Sequence, residues 1–113
     1  MSNLFEKLKK RRAFPVKEID GVFIRLLTQG EKPRADAFTD SAQKAWFILG
    51  KCLCDQAGQP CDVQRDNESD NEFASRIRDA FVDVDDGVLF PVLETLKRLS
   101  SGELPPLETI AKN

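Results

Sequence analysis

Apolar residues in the stretch 40–54 recur every three or four positions, which predicts one face of an α-helix. This stripe consists of Ala42, Ala45, Trp46, Leu49, Cys52 and Leu53. Phe47 and Ile48 lie outside it, so the helix is apolar over more than half of its circumference. Such a helix is either the centre of a small domain or half of an interface. We therefore predict a central helix, capped by Asp40, with Trp46 and Leu49 in the core and Phe47 or Ile48 in contact with a partner.

Residues 14–27 predict a β-hairpin instead. Pro15 prevents a helix from continuing through it, and Asp20-Gly21 stands between the apolar residues Ile19 and Val22. Asp-Gly favours a two-residue type I′ turn, in which both residues have positive φ. A lone hairpin is marginally stable in water, so we expect its apolar face to pack against the helices.

A two-residue turn also determines the register of the hairpin. It places Lys17 opposite Ile24 on one face of the two strands. On the other face it brings Glu18 and Arg25 close enough for a diagonal ion pair. The sequence therefore predicts an ion pair between Glu18 and Arg25 on the face opposite Ile24.

Two capping-box patterns mark further helices, because a Ser or Thr followed three residues later by Glu can satisfy first-turn amides. Thr28 and Glu31 mark the start of a helix toward Phe38. Pro33 fits the first turn of this helix better if the helix begins a residue or two later. After a polar, exposed loop over 55–70, Ser69 and Glu72 open the next helix. Its apolar stripe is Phe73, Ile77, Ala80 and Phe81.

A last helix is predicted to start near Asp86 or Gly87, which keeps Pro91 close to its first turn. The apolar stripe of this helix is Val88, Leu89, Val92, Leu96 and Leu99. Phe90 and Leu93 lie off the stripe. Large apolar side chains in such positions tend to be covered by another molecule, so we predict that both contact a partner.

These elements describe a mainly α (α+β) fold, a small helical domain with an N-terminal β-hairpin. With 113 residues the chain is long enough for one domain, which we assign to residues 1–102. A short amphipathic helix is expected over 2–12. Residues 103–113 contain Pro105-Pro106 and are predicted to form a flexible C-terminal tail.

The composition is that of an ordinary globular protein with a net charge of −2. This near balance argues against a dedicated nucleic-acid-binding protein, which is usually basic. We find neither a signal-peptide pattern nor an apolar run of about 18 residues, so no membrane partner is expected. An odd number of cysteines, three, fits a reducing cytoplasm better than a disulfide framework.

The residues that could carry chemistry are few, since the chain has no histidine. Cys52, Cys54 and Cys61 form C-x-C-x6-C, which lacks the four ligands and paired spacing of a structural zinc site. A nucleophilic cysteine needs a base beside it, and the sequence shows none. We therefore expect no catalytic residue, cofactor or metal, although a redox or metal protein using these cysteines is one alternative.

The order of the elements resembles the tail assembly chaperones of long-tailed phages and prophages. The resemblance covers most of the chain, from LFEKLKK through VFIRLLTQGEKPRADAF and KAWFILGKCLCDQAGQP to VLETLKRLSSG. A T-x-x-E helix start, a D-x-x-G turn at Asp55 to Gly58 and an L-x-x-L-S-G-like end at Leu96 to Gly102 match this family. Pro33 and Pro91 depart from its pattern and affect the helix boundaries most.

This resemblance implies a cytoplasmic protein of the infected cell or lysogen that binds the tape measure protein and helps tail tube subunits assemble. It also implies that a translational frameshift yields a longer product. Because the chain has surplus apolar helical surface, we further expect a homo-oligomer whose contacts include Phe47, Ile48, Phe90 and Leu93. The alternative is a small phage regulatory or nucleic-acid-binding protein that uses the basic cluster at 7–12 as an arm.

Overall fold

The computed structural model describes Leu4 and residues 12–100. This part of the chain contains four helices, α1 (Lys32–Asp36), α2 (Ser41–Cys52), α3 (Asp70–Ala80) and α4 (Asp86–Ser100). It also contains three short strands, β1 (Phe14–Pro15), β2 (Phe23–Ile24) and β3 (Leu53–Cys54), which form an antiparallel sheet in the order β1-β2-β3. The predicted fold class is therefore confirmed. Apart from Leu4 and Arg12, the helix predicted over 2–12 lies outside the described residues, as does the tail predicted over 103–113.

The predicted turn is present at Asp20-Gly21, but it is not of type I′. Only Gly21 has positive φ, at 83°, and Asp20 does not. The amide of Val22 donates to the carbonyl of Ile19 at 3.4 Å, which makes Gly21 the third residue of a four-residue turn. Positive φ at that position alone is what a type II turn requires.

A second turn precedes this one and shifts the hairpin register. The amide of Ile19 donates to the carbonyl of Val16 at 3.1 Å, so the connection between the strands is longer than two residues. Phe14 therefore pairs with Ile24, and the predicted pairing of Lys17 with Ile24 is wrong. A longer loop moves every pairing, because the register of a hairpin follows from its loop length.

Helix α1 follows a reciprocal pair of hydrogen bonds between Thr28 and Glu31. The amide of Glu31 donates to Thr28 Oγ1 at 3.3 Å, and the amide of Thr28 donates to Glu31 Oε1 at 2.9 Å. This is the geometry that the capping-box pattern predicts. The regular helix begins only at Lys32, which places Pro33 in its first turn, where a missing amide is tolerated.

Helix α2 begins where the sequence predicts and ends earlier. Oδ1 of Asp40 accepts from the amides of Ala42 at 2.8 Å and Gln43 at 3.3 Å, so Asp40 is its cap. The helix ends at Cys52, because Leu53 is extended and enters the sheet opposite Ile24. The stretch predicted as a single helix to residue 54 therefore supplies the third strand.

Two hydrophobic clusters lie on different sides of α2. The sheet cluster joins the strands, α2 and α4, and consists of Phe14, Val16, Ile24, Leu49, Cys52, Val92, Leu96 and Leu99. The aromatic cluster joins α1, α2 and α3, and consists of Ala35, Phe47, Phe73, Ala74 and Ile77. The predicted single stripe of α2 is wrong in part, since Ala42 and Ala45 are exposed. Leu49 is buried as predicted, whereas Trp46 is half-buried and contacts both clusters.

Helix α3 packs closely on α2 at Gly50. A Cβ atom added to Gly50 would lie 2.6 Å from Ile77 Cγ1 and 2.8 Å from Phe73 Cε2, so only a glycine permits this approach. The predicted capping box is present, with Ser69 Oγ accepting from the Glu72 amide and Glu72 accepting from the Ser69 amide. Phe73 and Ile77 are buried as the stripe predicts, whereas Ala80 is exposed and Ala74 is buried in its place.

Helix α4 begins at Asp86, one of the two predicted starts. Pro91 nevertheless lies inside the helix, beyond its first turn, and lacks the amide that would bond to the carbonyl of Gly87. Three residues of the predicted stripe are buried, namely Val92, Leu96 and Leu99. Leu89 is half-buried and Val88 is 43% exposed.

Candidate interaction surfaces

Phe47, predicted as a contact residue, has no exposed surface and is a core residue. Its ring centroid lies 5.2 Å from that of Phe38 and 6.2 Å from that of Phe73, with the second pair edge to face. The placement of Phe47 outside the core is therefore wrong. The residue spacing predicts one buried face for α2, whereas α3 covers a second one.

Ile48 is half-buried and faces a groove that we name the α1–α2 groove. The groove has a volume of about 650 Å³ and is bordered by the segment after β2, by α1, by α2 and by the end of α4. Its apolar lining consists of Leu26, Leu27, Ala35, Ile48, Cys52 and Leu99. Leu26 remains 39% exposed, so part of this apolar surface is open to solvent.

The polar part of the lining of the α1–α2 groove carries more positive than negative charge. Lys32, Asp36 and Lys44 are its charged members, and Gln29 completes it. Lys44 Nζ lies 3.3 Å from Asp36 Oδ1, whereas Lys32 is an exposed residue of the lining. A groove with both apolar and charged lining residues can bind an amphipathic segment and select its charge.

Phe90 and Leu93 form a second apolar surface, which we name the α4 flank. Phe90 is 65% exposed and Leu93 is 38% exposed. Residues three apart on a helix are neighbours on its surface, so the two side chains form a continuous patch. The prediction that both lie outside the core of the domain is correct. Whether they bind a partner remains a prediction.

A buried ion pair between Arg25 and Glu31 supports one wall of the α1–α2 groove. Arg25 Nη1 and Nη2 donate to the two carboxylate oxygens of Glu31 at 3.0 and 3.1 Å, and Arg25 is only 2% exposed. Arg25 Nη1 also donates to the carbonyl of Leu26 at 3.0 Å. The predicted partner of Arg25, Glu18, is exposed, so the predicted ion pair is wrong.

The charge of Glu31 is stabilised in this position. Burial raises the pKa of its carboxyl group. Hydrogen bonds from Arg25 and from the Thr28 amide lower the pKa by more than burial raises it, and the result is a pKa of about 2. A bidentate pair between a guanidinium and a carboxylate is directional as well as strong. It therefore holds the segment between β2 and α1, which lines the groove, in one conformation. The T-x-x-E pattern was the only sequence signal for this role of Glu31.

Cationic side chains cover the aromatic cluster and separate it from solvent. Lys51 Nζ lies 4.9 Å from the ring centroid of Phe73 and 5.7 Å from that of Phe47. The guanidinium of Arg34 lies over Phe47 at 5.6 Å, and that of Arg76 lies over Phe73 at 5.4 Å. Burial is the main cause of the lowered pKa of Lys51. This side of the molecule presents charge, and its aromatic rings are not available as a contact surface.

Ion pairs also anchor the loop over 55–70 to α3, although the sequence predicts it only as an exposed loop. Arg76 lies 2.8 Å from Asp62 Oδ2 through Nη1 and 2.8 Å from Glu68 Oε2 through Nε. Hydrogen bonds from Arg76 lower the pKa of Glu68 to about 2. Arg34 Nη2 lies 2.6 Å from Asp70 Oδ1 and connects α1 to the start of α3.

The three cysteines form no disulfide and are not arranged as a metal site. Cys52 and Cys54 are buried, and Cys61 is exposed. Burial raises the pKa of the Cys52 thiol to about 12, so it is protonated at neutral pH and is a poor nucleophile. Among the described residues, no group of three His, Cys, Asp or Glu side chains is arranged to hold a metal ion.

Two further predictions concern nucleic acid and membranes. The basic cluster at 7–12 lies outside the described residues except for Arg12, whose guanidinium is 5.5 Å from the ring centroid of Phe14. Over Leu4 and residues 12–100, no helix is long and apolar enough to cross a membrane.

Comparison of the chain with protein-family models, with curated proteins and with solved structures finds no match.

Proposed function

We propose that this protein is a phage or prophage tail assembly chaperone that binds the tape measure protein and assists tail tube assembly without catalysis. It would act in the cytoplasm of the host cell. The order of sequence elements described above suggests the family. The single structural observation that carries the proposal is the α4 flank, where Phe90 is 65% exposed with Leu93 one helical turn away.

The α4 flank has the form of a docking surface for a helix. It lies beside the stripe of α4 that is already buried, so its two residues form the edge of a wider apolar face. An amphipathic helix binds such a face through apolar residues at a spacing of three and four. A tape measure protein is a long helical protein, and it would present this spacing repeatedly along its length.

Self-association would cover the same surface before the client binds. An apolar patch with a phenylalanine at its centre lowers solubility when it is exposed, and two copies of the patch can cover each other around a twofold axis. The client helix would then compete with the second copy for Phe90 and Leu93. We therefore expect a homo-oligomer that dissociates, or changes its size, when the client is added.

The experiment is co-expression with the tape measure protein encoded in the same phage or prophage. The unchanged chaperone should keep the client in the soluble fraction, and the Phe90→Ser/Leu93→Ser variant should not. Val63→Ser is the matched control, because Val63 is exposed to 67% but lies in the loop before α3. Gel filtration of the free proteins should show a smaller species for the double variant alone.

Two results would contradict the proposal. The first is a client that stays insoluble when it is co-expressed with the unchanged chain, which would contradict the chaperone function. The second is a double variant that keeps the client soluble and elutes like the Val63→Ser control, which would remove the α4 flank as the binding surface. Binding to DNA that weakens steeply with added salt would instead favour the nucleic-acid-binding alternative.

A further inference from the structure

The exposed face of α4 carries opposite charges on either side of its two apolar residues. Asp86 lies four residues before Phe90, and Lys97 lies four residues after Leu93. All four residues are exposed. An α-helix turns by about 100° per residue, so the four side chains leave the helix within about 60° of one another. They therefore form one stripe, which is acidic at its start, apolar in the middle and basic at its end.

This stripe is complementary to a second copy of itself that runs in the opposite direction. The midpoint between Phe90 and Leu93 along the helix is also the midpoint between Asp86 and Lys97. A twofold axis through that point, perpendicular to α4, places Phe90 of one copy against Leu93 of the other. The same axis places Asp86 of one copy against Lys97 of the other. In a contact of this symmetry each pair occurs twice.

We infer that two copies of the chain bind each other through antiparallel α4 helices. Phe90 and Leu93 supply the apolar contact, and Asp86 and Lys97 supply an ion pair at each end of it. The inference rests on the proposed function for its use of the α4 flank. It deepens that proposal by naming the residues that select a second copy and fix its direction.

The charges select the antiparallel arrangement over the parallel one. Charged residues beside an apolar helix seam set the orientation of the two helices. In a parallel pair Asp86 would meet Asp86 and Lys97 would meet Lys97, and both contacts would be repulsive. The ion pairs found within residues 12–100 involve neither of these two side chains, so both charges are available to a second copy.

The small size of this contact indicates a weak dimer. Stable interfaces bury at least about 1,200 Å² in total, and one stripe with two apolar side chains per copy provides much less. The dimer is therefore expected to form only at high protein concentration. A weak contact also suits a surface that has to be released, because a client helix can then displace the second copy.

Charge reversal tests the arrangement, with sedimentation equilibrium of the full chain as the measurement. Asp86→Lys and Lys97→Asp each place like charges at both ends of the contact, and each should raise the dissociation constant of the dimer by about tenfold. An equimolar mixture of the two variants should recover the dimer, because opposite charges then meet at both ends. Asp86 and Lys97 also suit the dipole of their own helix, but that effect within one chain cannot produce recovery on mixing.

Two control variants make the same charge changes outside α4. Asp66→Lys lies in the loop before α3, and Lys17→Asp lies in the connection between β1 and β2. Both residues are exposed. Each control should dimerise like the unchanged chain, and mixing the two should bring no gain. The inference is overturned if Asp86→Lys and Lys97→Asp dimerise as tightly as these controls, or if their mixture dimerises no more tightly than either alone.

Co-expression of the unchanged chain with the tape measure protein tests the proposed function separately. An insoluble client contradicts the function, and recovery of the dimer in the mixture would still support the inference. A soluble client together with a mixture that fails to dimerise contradicts the inference alone.

Discussion

Helices α3 and α4 both pack against α2, yet only α3 buries all of its large apolar side chains. Phe73, Ala74 and Ile77 are buried against α2, and Gly50 allows the two helix backbones to approach closely. Helix α4 buries its central stripe but leaves Phe90 and Leu93 exposed. One side of α2 is therefore closed, and the other side continues into an exposed apolar surface.

The difference between the two helices lies in what surrounds the packed residues. Around α3, side chains of Lys51, Arg34 and Arg76 lie over the aromatic rings. The α4 flank has a phenylalanine and a leucine at its exposed edge instead. A cation over an aromatic ring is attracted to the ring and remains in contact with water. Exposed apolar side chains are instead stabilised when another molecule covers them. The open side is thus where binding is expected.

The largest effect should follow from truncating the aromatic centre of the closed side. Phe47→Ala removes a fully buried ring between α1 and α3 and should lower the free energy of unfolding by about 3–5 kcal/mol. Trp46→Ala should have a smaller effect, because Trp46 is half-buried. Urea denaturation of both variants measures the difference. Equal losses would mean that α2 does not have the asymmetric burial described here.

The buried ion pair beside the α1–α2 groove should have the next largest effect. Glu31→Gln leaves Arg25 buried without its counter-charge and should cost about 3 kcal/mol at neutral pH. The carboxyl group of Glu31 has a pKa of about 2, below its ordinary value of 4.5. Its stabilisation is therefore complete above about pH 4.5 and is lost as the pH falls toward 2.

When the pH is lowered from 4.5 to 2, the Glu31→Gln variant should for that reason lose less stability than the unchanged chain. Glu18→Gln is the control, because Glu18 is exposed and its removal should leave both the stability and the acid dependence nearly unchanged. Thermal melts across this pH range measure both quantities. Parallel curves for all three proteins would show that the buried pair does not contribute.

Gly50→Ala tests the close approach of α2 and α3. The added methyl group would meet Ile77 and Phe73 at less than 3 Å, and overpacking of this kind costs typically about 1–3 kcal/mol. Contacts this close put the cost at the upper end of that range, about 2–3 kcal/mol. Because the better helix propensity of alanine returns about 1 kcal/mol, we expect a net loss of about 1–2 kcal/mol. Gly30→Ala has only Thr28 Oγ1 nearby, at 4.0 Å, and should be close to neutral. A neutral Gly50→Ala would indicate that the two helices can move apart freely.

The smallest effect is expected on the open side. Phe90→Ser should change the free energy of unfolding by less than about 0.5 kcal/mol, since an exposed side chain contributes little to the fold. The measurement is urea denaturation at a protein concentration at which the chain is monomeric. A loss above 1 kcal/mol would place Phe90 in the core and would end the contrast between α3 and α4.

The sequence by itself determined the elements whose signals are local. The caps at Asp40 and Ser69 and the start of α4 are where the sequence places them. A turn is present at Asp20-Gly21, and the exposure of Phe90 and Leu93 followed from their position off the α4 stripe. These features depend on residues within one or two helical turns, and the sequence order shows all of them.

Only the tertiary structure decided which partner each surface meets. Phe47 is buried because α3 folds back over α2, and residue spacing within α2 carries no information about that contact. Arg25 meets Glu31 because a second turn shifts the hairpin register, which changes the neighbours of every strand residue. The α1–α2 groove likewise joins residues from distant parts of the chain, from Leu26 to Leu99. A periodic pattern identifies an apolar face, but the packing of the other elements determines whether that face is core or surface.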